Sequence, residues 1–182
     1  MPTARRSRTI AAPAQQLWEI MRDPHHLPRW WPRVTRVEDV EADAFTEVMR
    51  TRKGKFVRAD FSVLCDESTL TLTWVQRIEG TPFANVLRSA ETELRLTPAR
   101  SEAVDVAASA FGEPELASAP PANTTSAATE VAIELRQEMA RGAPGGGFLG
   151  FAPPSRFGGR LVRRAAEATL EEALEGLERI GV

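Results

Sequence analysis

Apolar residues recur along this chain with a period near two in its middle and near 3.6 at its end, and the changes of period mark the elements. A first strand is expected from Thr3 to Ile10, closed by Ala11-Ala12-Pro13. Pro13 suits the first turn of a helix, where no N–H is required of it. Leu17, Trp18 and Met21 then share one face of a short helix, Ala14 to Arg22. Asp23-Pro24 opens a second short helix through Leu27, the carboxylate capping it and the proline starting the turn. Pro28 and Pro32 bracket Trp30-Trp31 and are expected to end that helical stretch.

From there to Met139 the text reads as strands. Val34 to Val40 and Phe45 to Thr51 are short ones, parted by Glu41-Ala42-Asp43. After the turn Lys53-Gly54-Lys55, the residues Val57, Ala59, Phe61, Val63 and Cys65 alternate with Arg58, Asp60 and Ser62. That period-two pattern makes one apolar face. Past Asp66-Glu67-Ser68, a second half-buried strand carries Leu70, Leu72, Trp74 and Ile78 against Thr69, Thr71, Thr73 and Arg77. Gly80-Thr81-Pro82 turns the chain again, and strands follow over Val86 to Leu96 and Thr129 to Met139. Short turns between successive strands imply an antiparallel meander.

Ala99 to Ala128 is rich in Ala, Ser, Pro and Glu and reads as a mobile insert, with one helical turn near Val104 to Phe111. Gly142 to Gly150 reads as a second flexible link. The chain then closes with its longest helix. Leu161, Val162, Ala165, Ala166, Thr169, Leu170, Ala173, Leu174, Leu177 and Ile180 recur at helical spacing, with Arg160, Arg163, Arg164, Glu167, Glu171, Glu172 and Glu178 on the other side. So wide an apolar stripe must cover something, and a sheet with one apolar face is the available surface.

Composition narrows the function classes. The 182 residues suit one domain, residues 1–182, with 42% hydrophobic and 26% charged positions. A formal net charge of −2 offers no bulk attraction for nucleic acid or an anionic membrane. No run approaches the length needed to span a bilayer, and no signal-peptide pattern follows Met1, so a cytoplasmic location is expected. The strong preference for Arg over Lys suits a GC-rich bacterial genome. Cys65 is the only cysteine, which excludes an intrachain disulfide and a cysteine-based zinc site. His25 and His26 are adjacent, so on a helix they point about 100° apart and do not converge on one metal. Gly145-Gly146-Gly147 lacks the Lys-Ser/Thr pair of a phosphate loop. No motif calls for a cofactor or a metal. The basic cluster Arg50, Arg52, Lys53, Lys55 and Arg58 surrounds a hairpin turn without the aromatic interleaving of a nucleic-acid platform.

Three stretches carry a family likeness: Arg8-Thr9-Ile10-Ala11-Ala12-Pro13-Ala14 with Leu17-Trp18; Asp23 with Leu27-Pro28-Arg29-Trp30-Trp31-Pro32-Arg33-Val34; and the closing Leu170 to Leu177. In the order strand, two short helices, six strands, long helix, the chain resembles the helix-grip superfamily of START domains, pollen-allergen-like proteins and polyketide cyclase/dehydrase-like proteins, called SRPBCC. The resemblance implies an α+β fold in which a seven-stranded curved antiparallel sheet wraps the long C-terminal helix. It also implies an internal cavity for a lipid-, isoprenoid- or polyketide-like molecule. The candidate walls are then Val57, Ala59, Phe61 and Val63 on one strand, Leu72 and Trp74 on the next, and Leu161, Ala165 and Thr169 on the helix. The same residues would fill a solid core if no cavity exists. In the family arrangement Trp30 and Trp31 sit at the mouth, where an indole offers a flat apolar face and one N–H donor, or else anchor the short helices.

Counting back by twos from Leu96 through Thr92 and Ala90 turns Arg88 inward, where it would meet a ligand carboxylate or phosphate, or pair with Glu47. A bulge would instead turn it to solvent. Glu47 shares parity with Phe45 and Met49, and Gln137 with Leu135 and Met139. Arg88 and Glu47 are therefore the candidates for catalysis, with Gln137 as a hydrogen-bond donor. Three function classes stay open: a carrier or sensor of an apolar ligand, a polyketide aromatase/cyclase or dehydratase, and a protein-interaction module. The oligomeric state is not legible.

Overall fold

A computed structural model of the chain describes residues 3–51, 54–99, 128–140 and 158–181, the side chains of the last segment from Arg163 onward. Its strands are β1 (Thr3–Ile10), β2 (Val34–Glu38), β3 (Ala44–Arg50), β4 (Phe56–Asp66), β5 (Thr71–Gln76), β6 (Leu87–Pro98) and β7 (Thr129–Met139). They form a seven-stranded antiparallel sheet in the order β1-β7-β6-β5-β4-β3-β2. Helices α1 (Ala14–Arg22) and α2 (Leu27–Trp30) follow β1, and α3 (Gly158–Gly181) closes the chain. This is the helix-grip architecture.

The local chemistry explains each element. Asp23 caps a 3₁₀ turn, Pro24–His26, by accepting from the His25 N–H at 2.9 Å. That turn runs directly into α2, so Pro28 does not end the helical stretch. It sits in the first turn of α2, where its missing N–H has no partner to lose. β5 stops at Gln76, short of the expected Ile78, and a second 3₁₀ turn at Pro82–Asn85 brings Phe83 into the interior at 0% exposure. Thr81 sets that turn, its hydroxyl accepting from the Phe83 N–H at 3.3 Å.

The helix α3 buries Ala166, Leu170, Ala173, Leu174 and Leu177 against a core shared with α1, α2 and the concave face of the sheet. Each fully buried leucine contributes about 1.5–3 kcal/mol. Outside this stripe, Arg8 of β1 reaches Glu171 and, at 2.7 Å, Glu178, while Arg6 meets Glu167 at 2.9 Å. Ion pairs so exposed add little stability singly, and the buried stripe carries the packing of α3. The expected helical turn at Val104 to Phe111, the link at Gly142 to Gly150 and all but the ends of the insert lie outside the described residues. The insert's two ends meet, the Ala99 N–H donating to the Ala128 carbonyl at 2.8 Å.

Candidate functional site

Between the concave face and α3 lies a cavity of about 130 Å³. Trp31, Phe61, Trp74, Phe83, Leu87, Leu135 and Ala166 supply apolar wall, and Glu47, Gln76, Thr92, Gln137 and Thr169 supply the polar groups. Arg33, Arg50 and Thr51 border the same space, with both arginines exposed.

An aromatic cluster contributes to the cavity wall. Trp31 and Trp74 meet edge to face with centroids 5.3 Å apart, and Phe45 stacks on Phe61 at 5.2 Å. Phe45 also meets Trp74 edge to face at 5.7 Å, so the rings of β3, β4, β5 and the residue after α2 support one another.

Glu47 is the chemically unusual wall residue. It is 2% exposed on β3, between Val37 of β2 and Ala59 of β4. Burial pushes its carboxyl up to about 8, so it is largely uncharged at neutral pH. Its Oε1 has no hydrogen-bond partner among the described residues. Thr169, by contrast, is already engaged, its hydroxyl donating to the Ala165 carbonyl at 3.0 Å.

The expected site residues separate into two groups. Trp31, Phe61, Trp74, Gln137, Thr169 and Glu47 come together on the cavity wall. Trp30, Ala59 and Leu72 are buried in the packed core, and Val63 is half-buried against it. The Trp30 ring packs against Trp31 and against Trp74 of β5, at centroid distances of 5.4 and 6.0 Å. Ala165 is half-exposed, and its neighbour Ala166 takes the wall position; one residue of a helix is a 100° step. The side chain of Leu161 lies outside the described residues.

The inward placement of Arg88 is corrected. Leu87 pairs with Met139 while Ser89 pairs with Glu138, which leaves Arg88 as an extra residue in a β-bulge. Inward parity therefore passes from Ala90 to Leu87, and Arg88 turns out with its side chain 62% exposed, 3.8 Å from Glu138. It neither touches the cavity nor pairs with Glu47. His25 and His26 lean on Asp23, at 2.8 and 3.7 Å, and form no metal cluster among the described residues.

The family model for polyketide cyclase / dehydrase and lipid transport matches residues 1–143. The chain belongs to this family. Among solved structures, this polyketide cyclase/dehydrase-family chain is similar to the Zhui aromatase/cyclase of a Streptomyces species, with a TM-score of 0.66 and 14% identity over 98% of this chain and 92% of that one. A START superfamily protein from Mycobacterium smegmatis matches with a TM-score of 0.63 and 14% identity, covering 98% and 96% of the two chains. The di-domain ARO/CYC StfQ from the steffimycin biosynthetic pathway gives 0.67 at 12% identity, and this chain spans 50% of it. At such identities the likeness establishes the fold. No curated protein matches the chain.

Several wall residues escape the sequence reading of this family member. Gln76 and Thr92 share parity with Trp74 and Leu94, so period two was a sufficient signal for both. Phe83 had none, because it arrives on a 3₁₀ turn outside any periodic stretch. No helix among the described residues is long and apolar enough to cross a membrane.

Proposed function

We propose that the chain binds an uncharged, largely apolar small molecule of lipid-, isoprenoid- or polyketide-like character in the cavity between the sheet and α3. The observation that carries this reading is the cavity itself, about 130 Å³ walled by Trp31, Phe61, Trp74 and Ala166. An apolar cavity near 150 Å³ takes up benzene, whereas drug-sized ligands occupy about 300–1,000 Å³. The space therefore suits one ring or a short branched chain, and a longer molecule must extend past Arg33 and Arg50.

A second reading, polyketide aromatase/cyclase or dehydratase chemistry, is supported by Glu47, a buried acid held uncharged at the wall. It requires a substrate longer than the cavity as it stands. Turnover of an aromatisable thioester by the wild type, lost in Glu47→Gln, distinguishes it from simple carriage.

The test of the first reading is native mass spectrometry of protein purified from cells, beside an Ala166→Leu variant. Leucine at this 4%-exposed wall position fills much of the space from within. The expected result is a small adduct on the wild type that is absent from the variant. An adduct of equal occupancy on both would place the guest elsewhere and refute the reading.

A further inference from the structure

We infer that the cavity selects an uncharged molecule bearing a carbonyl oxygen, and that the carboxyl group of Glu47 donates the hydrogen bond that orients it. This rests on the cavity being the ligand site. The support is geometric. Glu47 is buried, lines the cavity and has an oxygen with no partner among the described residues. A buried polar group left unmade costs about 1–3 kcal/mol, so such a group is expected to be completed by whatever enters. Thr169 cannot take this role, since its proton is committed to the Ala165 carbonyl.

The charge environment favours an acid donor over a carboxylate acceptor. On β2 and β4 the cross-strand neighbours of Glu47 are Val37 and Ala59. The opposite faces of those strands hold Glu38, Arg58 and Asp60, engaged in pairs of their own. From β6 and β7 the facing polar groups are the uncharged Thr92 and Gln137, and the charged groups bordering the cavity are Arg33 and Arg50, both exposed at its rim. Desolvation is the cause of the raised carboxyl, with no neighbouring charge contributing. A protonated carboxyl is a strong donor, and a carbonyl oxygen is its natural acceptor. An anionic guest would have to desolvate its own charge beside this acid.

Two isosteric probes separate the inference from the reading beneath it: acetophenone, with C=O, and α-methylstyrene, with C=CH₂ in its place. Calorimetric titration of both is carried out on the wild type, Glu47→Met and Glu47→Gln at pH 6. Glu47→Met is expected to weaken acetophenone about tenfold more than it weakens α-methylstyrene. Glu47→Gln retains an N–H donor and is expected to keep acetophenone affinity. Raising the pH past 8 should weaken acetophenone in the wild type and leave Glu47→Gln flat. Failure of α-methylstyrene to bind the wild type overturns the cavity reading and the inference with it. Equal loss of both probes in Glu47→Met, or one pH profile for wild type and Glu47→Gln, overturns the inference alone.

Discussion

The backbone of Gly176 on α3 lies directly against the backbone of Trp30 on α2: a Cβ built at Gly176 would stand 2.8 Å from the Trp30 Cα. Backbone cannot yield as a side chain can, so only glycine permits the two helices to approach this closely. In an ordinary helix interior, replacing Gly with Ala stabilises by about 1 kcal/mol. Here the sign is expected to reverse. Gly176→Ala should destabilise by about 1–3 kcal/mol through overpacking, as read by denaturant unfolding. A stabilised variant would show that the helices are not in contact there.

Glu47 gives stability a pH dependence of unusual direction. Its carboxyl titrates near 8 in the folded chain, against an ordinary value of 4.5. Between those limits the folded state holds a proton that the unfolded chain has released. Stability from this group is therefore complete below about pH 4.5, falls as the pH rises through the window, and levels off above about pH 8, with a slope of at most about 1.4 kcal/mol per pH unit. Glu47→Gln should flatten that decline, giving a larger gain in Tm at pH 8 than at pH 5. Parallel Tm curves for the two proteins would show that the carboxyl is not desolvated.

Arg88 should be dispensable. Its exposed guanidinium meets Glu138 at 3.8 Å, a pairing worth little in water. Arg88→Ala is expected to change unfolding free energy by no more than about 0.5 kcal/mol and to leave α-methylstyrene affinity unaltered. A tenfold loss of binding would return Arg88 to the cavity.

The contrast between Arg88 and Glu47 shows where sequence reasoning reaches and where it stops. The antiparallel meander, the two short helices and the terminal amphipathic helix were legible, because periodicity acts locally; the pairing of β1 with β7 and the place of Pro28 inside α2 were not. Glu47 was legible for the same reason: β3 keeps its pairing with β4 from Ala44 to Arg50, so parity holds. Arg88 was misplaced because one extra residue in β6 reverses the parity of everything on its far side, and a bulge leaves no periodic trace. The cavity wall was legible only in part. Phe61 and Trp74 face it, whereas Ala59 and Leu72, on the same faces of the same strands, are packed in solid core. The alternation of a strand says which way a side chain points; whether it meets packed core or open space depends on partners distant in sequence.

Intermolecular nuclear Overhauser effects from α-methylstyrene to the protein report where the guest sits. Contacts are predicted to the indole protons of Trp31 and Trp74, the ring of Phe61 and the methyl group of Ala166, the first three vanishing in Ala166→Leu. Contacts confined to Phe56, Leu64 and Val75, the large apolar side chains exposed on the surface, would contradict the cavity reading.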